Sequence, residues 1–369
     1  MGVLGGISLA VSTLVAQEGI TPRYVGSLSC AASSCHGGAG ELRDQWVQWN
    51  SKDVHRRAAS TLTLARSTQI AQAAGISDPA NHARCTTCHA PNAVVPEVAR
   101  LATLDRTDGV SCESCHAPAE SWIRTHTRTS KEGFTYANKL AAGLRDLQNP
   151  YVRANTCVAC HQHVDRDLIQ AGHPELIFEL DGQSVAEPRH WKEPAGASGA
   201  RNWWVGQAVA LREIAWQMSR PGVSDDKSAA RQAGLQWMLD RTASAVLGDT
   251  TKLGFITDAT GPQALADQRA RAASAVEWPV AKTMAVLRIL AGTAVDFRDA
   301  KVARDVQARR AERLVLGLDR LMSALEPKVE AKAEKELKEL FRLAQSLPDF
   351  DPPAFASALE RFESRVKAL

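Results

Sequence analysis

The chain has 369 residues, of which 44% are hydrophobic, and its 44 Lys+Arg against 41 Asp+Glu leave a formal net charge of +3. That near balance, with no long basic run, excludes a nucleic-acid-binding surface. The length allows two domains, and composition divides the chain accordingly: every one of its eight cysteines and ten histidines precedes residue 195.

In chain order, residues 1–20 form a signal-like segment. Met1 to Ala16 is apolar and small, resembles the hydrophobic core of a secretory signal, and offers a cleavage point after Ala16, although it lacks a positive start. It is too short and glycine-rich for a transmembrane helix, and no later segment could span a membrane. Residues 25–195 follow, rich in Gly, Ser, Thr, Asp and Pro, with few long apolar periods. Such a segment does not easily build an ordinary core.

Four times in this stretch a cysteine pair is followed at once by histidine: Cys30…Cys35-His36, Cys85…Cys88-His89, Cys112…Cys115-His116 and Cys157…Cys160-His161. C-x-x-C-H is the attachment signature of c-type haem, in which two thiols bond to the porphyrin and the histidine ligates the iron. Histidine is 10 of 369 residues, so four chance placements after a second cysteine have odds on the order of 10⁻⁶ to 10⁻⁷. A four-cysteine zinc site, a redox dithiol and a disulfide framework compete for the same cysteines, and none of them needs those histidines. The first motif is the odd one, with four residues between its cysteines, and its rival is a stray cysteine pair beside a chance histidine. Four covalently bound haems would supply the core that residues 25–195 lack, with short helices wrapped around them. Their propionates would also bring the charge near neutral or acidic.

Six further histidines remain: His55, His82, His126, His163, His173 and His190. All lie in the same half, and a histidine opposite a motif histidine makes an iron six-coordinate and suited to electron transfer. His82 and His163 sit awkwardly close to their own motifs.

Residues 200–369 read as a domain of four to six helices in an antiparallel bundle. Trp204, Ala208, Leu211, Ala215 and Met218 keep helical spacing, as do Leu314, Leu318, Leu321 and Leu325, and again Leu337, Leu340, Ala344 and Leu347. Pro221-Gly222, Gly261-Pro262, Pro327 and Pro352-Pro353 punctuate the run. The Lys/Glu-laced stretch from Glu330 to Arg342 marks a solvated helical face. The fold class expected is therefore mainly α, with a multihaem cytochrome c domain of little regular structure followed by a helical bundle.

Residues 25–175 resemble the tetrahaem cytochrome c-554 family. The resemblance rests on the first haem site, the Gln45-Trp46-Val-Gln-Trp49 helix leading to His55, the lone motif at His89, and Gly109-Val-Ser-Cys112-Glu-Ser-Cys115-His116-Ala-Pro with His126 ten residues on. The family shares its haem arrangement with hydroxylamine oxidoreductase. The resemblance implies that His126 is the distal ligand of the His36 haem and His55 that of the His116 haem. The His161 haem would take His173 or His190, and the His89 haem would be five-coordinate and reactive. The chain departs from the family in its first motif, its spare histidines and its helical C-terminal half.

These readings together describe a periplasmic electron-transfer protein with four haem c groups, attached through Cys30, Cys35, Cys85, Cys88, Cys112, Cys115, Cys157 and Cys160. The iron ligands expected are His36, His89, His116 and His161, with His55, His126, His173 and His190 opposite them. The alternative is an oxidoreductase acting on a small nitrogen or sulfur compound at an open iron beside His89. No catalytic residue is assigned, because Asp108, Glu113 and Glu120 are unremarkable carboxylates near the motifs. The partners expected are redox proteins, with peripheral membrane association and a small-molecule ligand at the second haem also within scope.

Overall fold

The computed structural model describes residues 21–41, 43–220, 225–248, 261–325, 327, 331–346 and 349–369. The signal-like segment, Pro221-Gly222 and Leu347 lie outside them. Among the described residues the structure is helical, with one isolated bridge between Tyr24 and Arg100. Among these residues no helix is long and apolar enough to cross a membrane.

The N-terminal half is a string of short helices: α1 (Gln45–Lys52), α2 (Ala58–Thr61), α3 (Ala65–Ala73), α4 (Ala83–His89), α5 (Cys112–His116), α6 (Tyr136–Ala141), α7 (Pro150–His161), α8 (Arg166–Gln170) and α9 (Leu180–Ala186). Its own apolar clusters are small, one around Val25, Ala119 and Trp122 and another around Ala71, Ile76 and Leu168. So small a core is what the polar composition of this half dictates.

The C-terminal half contains seven described helices, more than the four to six expected: α10 (Gly199–Met218), α11 (Asp226–Leu247), α12 (Pro262–Ala275), α13 (Val280–Ala291), α14 (Arg304–Ser323), α15 (Glu334–Ala344) and α16 (Pro352–Lys367). Their starts follow from the sequence. Ser198 and Asp225 accept hydrogen bonds from Arg201 N and Ser228 N at the beginnings of α10 and α11, and prolines open α12 and α16. Helix α10 buries Trp203, Val205 and Val209 as well as the Trp204–Ala208–Leu211 stripe, so it is the central helix rather than a surface one. It packs on α12 and α11, while α11 packs on α14. Gly317 of α14 lets the Trp203 indole lie flat, since a Cβ there would come within 2.5 Å of the ring. In α15, Leu337, Leu340 and Ala344 are buried and the Lys/Glu face is turned outward, as its sequence requires.

The halves share one core. Ala154 and Val158 of α7, together with Phe178 and Leu180, join the large apolar cluster of the helical half. A polar knot reinforces this seam. Arg212 donates to Asp267 at 2.7 Å and to Asn155 at 2.6 Å, and the Tyr151 hydroxyl donates to the same aspartate at 2.7 Å.

Candidate haem-binding site

The second, third and fourth motifs lie on helices α4, α5 and the end of α7, where the spacing of 3.6 residues per turn puts both cysteines on one face and the histidine beside the first. The first motif follows a short 3₁₀ turn (Ser27–Cys30) and is not helical, which is how it accommodates its longer loop. Helix α4 is pinned by Arg84, which reaches Asp165 at 2.8 Å and Asp167 at 2.5 Å. Around α5 the Glu113 carboxylate is buried and accepts three backbone N–H groups, from Val25 (2.9 Å), Gly26 (2.7 Å) and Ala119 (2.7 Å). Asp108 accepts from Ser27 Oγ at 2.6 Å, and Glu120 pairs with Arg23. All three carboxylates thus have structural partners. Ala117, directly after His116, has φ +71°, a backbone region unfavourable to a side chain, so the exit from the third motif is strained.

Every motif histidine faces one of the other histidines. The ring centroids are 6.0 Å apart for His36 and His126, 6.4 Å for His89 and His173, 6.5 Å for His116 and His190, and 5.9 Å for His161 and His55. The ring planes are inclined by 28° in the first pair and by 75°, 75° and 84° in the other three. Bonds from a metal to imidazole nitrogen are about 2 Å long, so two imidazoles on opposite sides of one ion have ring centres roughly 6 Å apart.

The outer nitrogens of seven of these eight rings lie against further groups. His36 Nδ1 lies 2.7 Å from Gln45 Oε1, and His126 Nδ1 is 3.3 Å from Trp122 O. His89 Nδ1 is 3.0 Å from Thr61 Oγ1, His173 Nδ1 is 2.9 Å from Pro174 O, and His190 Nδ1 is 3.2 Å from Pro188 O. His55 Nδ1 is 3.0 Å from the Asp53 carboxylate. His161 Nδ1 is 3.4 Å from the amide nitrogen of Gln183, whose Oε1 is buried without a partner. Turning that amide over gives both groups a proper bond. A hydrogen-bond partner on Nδ1 fixes the ring and leaves Nε2 for a metal. Burial is the main cause that lowers the pKa values of His89, His126, His161 and His116, the last to about 4, which keeps these imidazoles in the neutral, metal-binding form. His55 moves the other way because Asp53 holds its Nδ1 proton.

The residues fit haem c. Thiols and facing imidazoles are present in the right number and spacing. Trp46 Nε1, Trp122 Nε1 and Gln162 Nε2 are buried beside the pairs with no acceptor from the protein, as donors to propionate carboxylates would be. Bound there, haem would supply reversible one-electron chemistry at iron. Burial, first of all, pushes the Cys115 and Cys157 thiols up to about 12, whereas the Cys88 thiol is lowered to about 7 beside Cys160.

Residues 29–117 match the profile of the family described as cytochrome c554 and c-prime. Over those residues the chain is similar to that family. That match implies covalently bound haem c and a part in electron transfer, and it spans the first three motifs; the fourth and the helical half lie beyond it. No curated protein and no solved structure matches the chain.

The ring pairs agree with the c-554 resemblance at one point and depart from it at three. His126 does stand opposite His36. His55 faces His161 rather than His116; its carbonyl accepts the Val110 N–H at 2.9 Å, and Gly109 packs so closely that a Cβ would meet that carbonyl at 2.1 Å. This contact holds the His55 backbone against the segment that leads into the third motif. The face opposite His116 is taken by His190. His89, expected to face an open position, has His173 across from it. His82 and His163 join no pair: His82 Nδ1 accepts from Arg84 N at the start of α4, and His163 Nε2 lies 3.1 Å from Asp165.

Proposed function

We propose that the chain is a periplasmic tetrahaem c-type cytochrome that passes electrons between redox partner proteins through four bis-histidine haems. The observation that carries this reading is the four ring pairs, each joining a motif histidine to a different remaining histidine at 5.9–6.5 Å. Two axial imidazoles make an iron low-spin, so it changes little on reduction and transfers electrons readily.

The motif cysteines support an order for the path. The Cys30 thiol feels that of Cys112, the Cys88 thiol that of Cys160, and the Cys115 thiol that of Cys157. Thioethers at those positions would set the porphyrins edge to edge in the order first, third, fourth, second. The ends of such a wire are the first and second haems, where donor and acceptor would dock. Covalent haem attachment and the apolar N-terminal segment both favour export across the inner membrane.

The test is a mass measurement of the mature protein together with its oxidised and reduced spectra. Four covalent haems, all low-spin and unreactive to carbon monoxide, are expected. Fewer haems, or a high-spin fraction in the native protein, would reject the reading.

A further inference from the structure

We propose that the helical half acts as a clamp on His173 and thereby keeps the second site closed to small molecules; this rests on the bis-histidine reading above. The two rings of that pair are held by different parts of the molecule. His89 sits on α4, which Arg84 ties to Asp165 and Asp167, and its Nδ1 bonds Thr61. All of those partners belong to the N-terminal half.

His173 follows α8, where its backbone N–H bonds Leu168 O at 2.9 Å and Arg66 reaches Gly172 O at 3.2 Å. Immediately downstream the hold passes to the helical half. The Glu175 carboxylate lies among three cations: Lys227 at 2.6 Å and Arg231 at 2.8 Å from α11, and Arg309 at 3.7 Å from α14. Arg231 also donates to Leu176 O at 2.6 Å. Two residues on, Phe178 O accepts from Arg313 of α14 at 3.3 Å and from Gln207 of α10 at 3.4 Å. Gly206 of α10 then lets Leu180 pack in, since a Cβ there would come within 2.7 Å of the Leu180 Cβ.

Arg231 and Arg313 are buried, at 9% and 1% exposure, so their charges are desolvated and their bonds to this strap are difficult to replace with water. An arginine buried at a backbone carbonyl gives little net stability; what it gives here is a fixed path for residues 175–178. That path begins two residues after the ring opposite His89. His190, at the far end of the same strap, is held independently: Glu193, three residues later, pairs with Arg153 of α7 at 2.9 Å. Loosening the clamp therefore frees His173 and leaves His190 in place. The chemistry admitted is that of a neutral or anionic diatomic ligand (carbon monoxide, nitric oxide, cyanide) on one iron.

The test uses the full-length holoprotein and carbon monoxide as probe, with the haem count taken by mass for each variant. Glu175→Gln and Arg231→Ala are expected to let one haem in four bind carbon monoxide, where the wild type binds none. Arg231→Lys, which keeps the cation, is expected to stay near wild type. His173→Ala is the control and must open one haem outright. If it opens none, the pairing of His89 with His173 fails and the clamp with it. If it opens one while Glu175→Gln and Arg231→Ala bind no more carbon monoxide than wild type, the pairing stands and the clamp is overturned. Loosening of several haems together would reduce these residues to general structural support and would also overturn it. Glu175→Gln changes a single atom, so it decides the matter should Arg231→Ala fail to mature.

Discussion

Nδ1 of His55 lies 3.0 Å from Oδ1 of Asp53, and that aspartate is 2% exposed. The aspartate has little water to share its charge with, and it also accepts the His55 backbone N–H at 2.9 Å. A carboxylate on the outer nitrogen makes an imidazole a stronger electron donor to a metal on its inner one. Asp53→Asn keeps the shape and removes the charge. It is expected to raise the potential of one haem by tens of millivolts and leave the others unmoved. A spectroelectrochemical titration resolves this, and a uniform shift of all four would count against a local effect.

The approach of Gly109 to His55 gives a second expectation. A Cβ at residue 109 would stand 2.1 Å from His55 O and 2.8 Å from Arg56 O, and backbone atoms cannot yield as a flexible side chain can. Gly109→Ala should destabilise the protein by roughly 1–3 kcal/mol and displace the ring that faces His161. Denaturant unfolding gives the first quantity. A new high-spin signal from a single haem gives the second.

Ring orientation distinguishes the pairs without a crystal. Perpendicular axial imidazoles leave two iron d orbitals nearly equal in energy, whereas near-parallel planes split them. The His36–His126 pair is inclined by 28° and the other three by 75–84°. The oxidised protein should therefore show one rhombic low-spin electron paramagnetic resonance spectrum and three strongly anisotropic low-spin signals. His126→Ala should remove the rhombic spectrum, while His55→Ala or His190→Ala should each remove one of the others. Loss of the rhombic spectrum in His55→Ala would overturn the pairing.

The cysteine–histidine motifs and the concentration of histidines before residue 195 are legible in the sequence, because a cysteine spacing and a residue count survive without coordinates. The sequence did not disclose which histidine meets which. That depends on contacts such as Val110 N–H on the His55 carbonyl, sixty-one residues from the indole that also reaches this strand, Trp49, whose Nε1 bonds Val110 O at 2.9 Å. The helical stripes of α14 and α15 were legible, since periodicity reports burial directly. The central position of α10 was less so: a helix buried on several sides shows only part of its core in any one stripe. The arginines that hold residues 175–178 were invisible too, because Arg231 and Arg313 look in sequence like ordinary charges on helix faces.

Glu179 offers a pH test of that same strap. Its side chain is 8% exposed and accepts from Asp181 N at 2.9 Å and from Gly182 N at the start of α9. Burial is the main influence and pushes its pKa from 4.5 up to about 7, with nearby Asp181 adding to the shift and the backbone N–H groups and Arg320 opposing it. Between the unfolded and folded pKa values the native state binds the extra proton. Stability is therefore greatest below pH 4.5 as far as this group is concerned, and falls as pH rises towards 7. The loss amounts to a few kcal/mol at most, since each pKa unit is worth about 1.4 kcal/mol. Glu179→Gln stays neutral at every pH, so its own contribution to the slope disappears, although it gives up one of the two backbone bonds. Denaturant unfolding of both proteins at pH 5 and pH 8 should show a smaller loss in the variant than in the wild type. An equal loss in both would mean that Glu179 is already ionised in the folded protein at pH 5, with Arg320 outweighing its burial.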